Sequence, residues 1–238
     1  MKHIFSLLFL FAVSSCSKDF VPTQYQFEEK KINASEKFDA ETWAKILPYK
    51  DSLDKEMNVV LAVSDTILTK STPESDLGNF MCDLILKKSR DYYGRPIDFT
   101  FLNNGGIRIP NLPKGNITLG KIIELMPFEN RLGVVDIKGI VLDTLFNHMA
   151  SKGGWQVSGA SYKIKNGKAF EIKIQEAPLD LDKTYIVVSS DYLLQGGDNC
   201  TMLQSIPYVD LKKTLRDALI EGLKEMTAKG EHIKSVIE

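Results

Sequence analysis

Apolar residues recur along this chain in two rhythms, and the switches between them mark its elements. Leu77, Phe80, Met81, Leu84 and Ile85 follow the spacing of one helical face. Ser75 or Asp76, just ahead, supplies an oxygen to cap the free N–H groups of the first turn. That stripe is a core face. Leu211, Leu215, Leu219 and Leu223 predict a closing amphipathic helix over 211–230 that ends at Gly230. Shorter helices are predicted at TLGKIIELM, started by Thr118 and stopped by Pro127, and at VLDTLFNHMASKG, ended by Gly153. FDAETWAKILPYKDSLDKEM predicts a helix capped by Asp39, a packing arm with Trp43, Ile46 and Leu47 on one side, which Pro48 bends or interrupts.

Between the helices lie apolar runs too short for helices: NVVLAVSDTIL, IDFTFL, LGVVDIKG and YIVVSS, each predicted to be a strand. SYKIKNGKAFEIKI reads as a hairpin, and Asn166-Gly167 at its centre suits a two-residue type I′ turn. Strands and helices interleave without a regular βαβ repeat. The predicted class is therefore α+β, a layered sheet domain rather than a doubly wound one.

The first sixteen residues, MKHIFSLLFLFAVSSC, have a basic start and an apolar run from Ile4 to Val13 too short to span a bilayer. VSSC reads as a lipobox. It predicts a signal peptide over 1–15, lipidation of Cys16, and a mature protein anchored in a bacterial cell envelope, periplasmic or surface-facing. An ordinary cleaved signal with a chance cysteine is the other reading. Residues 16–38, rich in Lys and Glu, predict a tether, and 39–238 a domain.

With 238 residues, 43% of them apolar, the chain can bury a sizeable core. A net charge of −1 without a clustered basic stretch argues against nucleic acid as a partner. Cys82 and Cys200 allow a disulfide, although Cys82 falls on the apolar face of its helix, where a small core residue suffices. Beyond the leader only His148 and His232 remain, and FVPTQYQFEEKKINASEKFDAETWAKILPYKDSLDKEM holds no histidine and no Asp-x-His pair. No metal site is expected on this chain.

Candidate chemistry begins at NNGGIRIP, residues 103–110, where an apolar run ends in two glycines ahead of an arginine. Glycine lets a backbone turn or approach a ligand closely, and arginine offers a planar fork of donors to an anion. Together with ESDLGNFMCDLIL at 74–86, MPFENRLGVVDIKG at 126–139 and TYIVVSSDYLLQGGDNCTML at 184–203, this stretch makes the chain resemble the C-terminal domain of the 5′-nucleotidase family. The resemblance runs from about residue 58 to 203. It implies a layered α/β/β/α fold and a nucleotide-recognition role beside a separate phosphatase domain that carries the divalent metal ions.

The resemblance also implies roles for particular residues. Phe128 and Tyr192 match the aromatic pair that stacks on the base, Asp198 the carboxylate that accepts from ribose hydroxyls, and Arg108 the arginine that holds the phosphate. A core-filling role suits the two rings as well, and a turn-bracing role suits Asp198. Asn103 and Asn130 suit either a contact to base or ribose or a hydrogen bond that braces their loops. Two departures stand out. Asn104 replaces the first glycine of the family's Asn-Gly-Gly-Gly-Ile-Arg motif, which positive φ would tolerate. Ahead of Glu74, where relatives carry further phosphate-binding arginines, LTKSTP offers only Lys70, without a bidentate fork.

The expected function is recognition of a nucleoside or nucleoside monophosphate in concert with a metallophosphatase on a separate chain. A lipoprotein that captures nucleosides or nucleotides for uptake is the alternative.

Overall fold

The computed structural model describes residues 26–29 and 39–235. The signal segment, Cys16 and nearly all of the tether lie outside the described residues. Contacts divide the chain into two units, Met1–Lys45 and Ile46–Glu238, and every described strand belongs to the second. Helix α1 (Ala40–Met57) crosses that boundary. It continues through Pro48 rather than being interrupted, and none of its residues is buried. Ile46 and Leu47, two of the residues expected to pack as an arm, are exposed.

Strands β1 (Val60–Ser64) and β2 (Leu68–Thr69) follow. They replace the single strand expected at NVVLAVSDTIL, because the two segments pair with different partners. Helix α2 (Asp76–Tyr93) starts where Ser75 Oγ accepts from Gly78 N at 2.8 Å, and its stripe Leu77, Phe80, Met81, Leu84 and Ile85 is buried. Strand β3 (Phe99–Leu102) comes next, then β4 (Asn111–Leu112), β5 (Gly115–Thr118) and helix α3 (Leu119–Leu125). β1 pairs with β5, and β2 with β4.

Strand β6 (Arg131–Lys138) and helix α4 (Gly139–Ser151) precede the short β7 (Gln156–Ser158). Strands β8 (Ala160–Lys165), β9 (Lys168–Ile174) and β10 (Ala177–Pro178) make a small antiparallel sheet. Its hairpin turn carries Asn166 at φ 52° and Gly167 at φ 72°, as a type I′ turn demands. Strand β11 (Thr184–Ser190), the single-turn helix α5 (Asp191–Leu194), strand β12 (Tyr208–Thr214) and helix α6 (Leu215–Ala228) complete the domain. The closing helix was expected from residue 211. Leu211 instead lies on β12, and Thr214 starts α6 through a capping box with Asp217.

The central sheet runs β12-β6-β11-β3-β7, with β11 and β3 parallel and the other pairs antiparallel. Alternation along β6 and β11 sends Val134 and Val188 into one core with α2 and α6. Val135, Ile137 and Val187 enter a second core with Leu142, Phe146 and Met149 of α4, and Ile174 of the small sheet packs there too. Each such side chain contributes about 1.5–3 kcal/mol by leaving water. The protein is thus a layered α+β fold. Cys82 and Cys200 are both buried and free, one in each core, which answers the disulfide question against a bridge.

Pairing also decides where chain ends meet. Because β11 and β3 are parallel and β6 runs against β11, with Ser190 opposite Leu132, the C-terminal ends of β3 and β11 share one sheet edge with the start of β6. Asn103, Asn130 and Asp191 therefore emerge side by side.

Candidate functional site

At that shared edge lies a cavity of about 340 Å³ lined by Asn103, Gly105, Gly106, Arg108, Phe128, Asn130, Tyr192 and Asp198. All six residues proposed from the sequence are there. The volume sits toward the small end of ligand pockets, roughly 300–1,000 Å³. A larger groove of about 690 Å³ runs along Trp155 to Ile164 opposite Glu74 and Asp83. Its one cation among the described residues, Lys163, is paired with Glu171 at 2.6 Å, so it offers less to an anionic ligand.

Asp198 is the hub of the smaller cavity. Its Oδ2 accepts from Asn103 Nδ2 at 2.6 Å and its Oδ1 from the Tyr192 hydroxyl at 2.7 Å. The Tyr192 oxygen in turn accepts from Asp198 N at 3.1 Å. The carboxylate binds side chains of neighbouring elements rather than its own turn. Hydrogen bonding to Asp198 raises the Tyr192 phenol above its ordinary value. Gly196, at φ 93°, admits the turn that presents this loop, and Asp198 itself sits at φ 50°, a left-handed conformation that costs about 1 kcal/mol. His148 Nε2 donates to Asp198 O at 2.9 Å and holds the loop from behind.

The two rings are mounted differently. Tyr192 packs one face on Gly197: a Cβ added there would lie 2.6 Å from both Cε1 and Cε2 of the ring. Asp191 Oδ1 accepts from Tyr192 N at 2.8 Å and from Arg131 N at 3.0 Å, tying the start of α5 to the start of β6. Phe128 rides on a loop whose backbone carbonyls at Met126 and Phe128 accept from Arg216 Nη1, while Arg216 Nη2 pairs with Glu129. The Arg108 guanidinium lies 5.6 Å from the Phe128 ring centre, within cation–π range. Phe128 is 40% exposed and Tyr192 45%, so neither ring fills a core.

The Asn-Asn-Gly-Gly turn works otherwise than expected. Asn104 opens a 3-10 turn and does not take positive φ. Its side chain donates to Gly154 O at 2.9 Å and accepts from Gln156 Nε2 at 2.8 Å, fastening the turn to the β7 edge. Gly105 and Gly106 also avoid positive φ; Cβ atoms there would lie 3.3 and 3.0 Å from the Asn103 amide. These glycines make room for Asn103. Their absent side chains serve that packing rather than a backbone conformation.

Sequence reasoning missed His148, Asp191, Arg216 and Gln156 as supports. Each lies far along the chain from a residue it holds, and no local motif marks it. Among the described residues no group of three or more His, Cys, Asp or Glu side chains is placed to hold a metal ion, so no chemical step is assigned to a metal on this chain.

The cavity thus presents two open rings, a braced carboxylate and an arginine. Comparison with known proteins gives the family. Residues 57–205 match the family model described as 5′-nucleotidase, C-terminal domain, and the chain belongs to that family. The trifunctional nucleotide phosphoesterase protein of Bacillus subtilis is 31% identical over an alignment of 189 residues, with 68% of this chain and 13% of that protein covered. The apyrase of Tabanus yao is 27% identical over 176 residues, covering 62% of this chain and 32% of the relative. The crystal structure of a 5′-nucleotidase precursor from Thermus thermophilus superposes with a TM-score of 0.71 at 29% identity, covering 83% of this chain and 42% of that one. The chain therefore spans less than half the length of these relatives.

Proposed function

We propose that this chain is the nucleotide-recognition part of a 5′-nucleotidase, and that the metal ions and the phosphatase chemistry reside on a separate metallophosphatase chain. The convergence of Phe128, Tyr192, Asp198 and Arg108 on one cavity carries the reading. A nucleoside monophosphate presents a π face, ribose hydroxyls and a phosphate, and the cavity holds one complement for each. Base stacking on the two rings contributes about 1–3 kcal/mol each. Each Asp198 oxygen accepts one hydrogen bond within the protein and retains a lone pair for a ribose hydroxyl. Asn130 is left to meet the base edge. The lipobox reading adds a lipid anchor at Cys16 and a place in the bacterial cell envelope.

Calorimetry with adenosine tests the recognition site. Phe128→Ala and Tyr192→Ala are each expected to weaken adenosine by roughly five- to hundredfold, in step with the lost stacking energy. A folded wild-type chain with no affinity for adenosine or AMP at millimolar concentration, alone and with a metallophosphatase chain added, overturns the reading.

A further inference from the structure

Two sheets end along one line. β7 pairs only with β3 and closes the central sheet, while β8 pairs only with β9 and closes the small one. Among the described residues, the main chain of 156–158 and 160–164 bonds no other strand or loop, so the outward N–H and C=O groups of both strands are unspent. The groove of about 690 Å³ follows this line, and Trp155 through Ile164 line it without a gap. Side chains alternate between the two faces of a strand, so an unbroken run forms one wall only by its edge. Helix α2 is the other wall. A Cβ added to Gly78 would run into the Gln156 side chain, and one added to Gly159 would lie 3.2 Å from Leu86. Asn79 and Asp83, one helical turn apart, face the groove together with Glu74.

A free strand edge beside a helix is a seat for one more strand. Main-chain hydrogen bonds from the edge hold any extended peptide, so the side chains around the groove decide which one stays. Among the described residues the carboxylates of Glu74 and Asp83 have no cationic partner, whereas Lys163 is neutralised by Glu171 at 2.6 Å. Glu74 Oε1 accepts from the neutral Asn79 amide at 2.8 Å. Phe170, an exposed ring, adds an apolar surface to the same groove. We propose that this groove docks an extended, lysine- or arginine-bearing segment of another protein, added as a strand to the β7–β8 edge with its basic side chains toward Glu74 and Asp83. The groove shares no lining residue with the cavity around Asp198, so the proposal stands apart from the nucleotide reading.

Amide spectra of the isotope-labelled chain, titrated at low salt with three capped six-residue peptides, test this. One peptide alternates lysine and valine, the second alternates glutamate and valine, and the third is the lysine peptide with its backbone amides N-methylated. The lysine peptide is expected to bind and to shift the amides of 156–164. The glutamate peptide is expected to bind about fivefold more weakly or worse, the scale of two exposed ion pairs. The N-methylated peptide has lost its main-chain donors and is expected not to bind. In the double variant Glu74→Gln, Asp83→Asn the lysine peptide is expected to weaken about fivefold, with the spectrum away from the groove unchanged. No binding of the lysine peptide at millimolar concentration overturns the proposal. So does equal affinity for the lysine peptide and either of the other two, an unchanged affinity in the double variant, or a set of shifts that lies outside the groove. Shifts of the same amides that follow the concentration of the chain alone assign the edge to a second copy and overturn it as well.

Discussion

Replacing Gly197 by alanine adds one methyl group beneath the ring of Tyr192. The added carbon would stand 2.6 Å from Cε1 and Cε2 and 2.5 Å from the Tyr192 carbonyl oxygen. Ordinary carbon contacts begin near 3.5 Å, so the ring must retreat by roughly 1 Å. The ring alone cannot relieve the clash, because the carbonyl is backbone and moves only with the loop. Overpacking of this kind costs about 1–3 kcal/mol. A ring displaced by that distance also pulls its hydroxyl from Asp198, now at 2.7 Å, and shifts the surface that the proposed function offers to a base. Gly197→Ala is therefore expected to lower the unfolding free energy by about 1–3 kcal/mol in a denaturant titration. It is expected to weaken adenosine by as much as Tyr192→Ala does, roughly five- to hundredfold. Thermal or denaturant unfolding and calorimetry on the same preparation supply both readings. A variant with wild-type stability and wild-type adenosine affinity would refute the packing of Tyr192 on Gly197.

Two further outcomes are expected. The Tyr192 phenol has its folded-state value raised above 10, chiefly by its hydrogen bond to Asp198. Its stabilising contribution is thus fully present below pH 10 and is lost as pH rises through the raised value. An ultraviolet difference titration of wild type against Tyr192→Phe should show one tyrosine ionising later than an exposed reference, and an unshifted titration would contradict the bond. On the proposed lipid anchor, Cys16→Ala is expected to move the protein from the membrane fraction to the soluble fraction of its host, since the lipid would supply the anchoring energy; unchanged sedimentation with membranes would count against the anchor.

Much of the architecture was legible because burial imposes period on sequence. The α2 stripe from Leu77 to Ile85, the Asn166-Gly167 turn and the Thr118 cap all appear where their residue types place them. β12 was not legible. Its burial is intermediate along most of its length, and Leu211 continues by chance the spacing of the leucines in α6. The split of NVVLAVSDTIL was hidden for another reason: pairing partners at Gly115–Thr118 and Asn111–Leu112 decide it, and they are distant in sequence. The loops that line the cavity carry short motifs and could be read. Their supports could not, because His148, Asp191 and Arg216 act across the fold on backbone atoms, which leave no mark on the residue types they hold.

The Asp198 carboxylate is clamped by Asn103 and Tyr192 of the chain itself. A free aspartate would surrender its rotamers when a ligand arrived, at some cost in entropy for each side chain so ordered. Here that ordering is completed during folding, and the left-handed backbone at residue 198 records part of its cost. On the proposed nucleotide reading, a ribose would meet an already ordered carboxylate, and the heat of association there would report contacts made with the ligand and little rearrangement of Asp198.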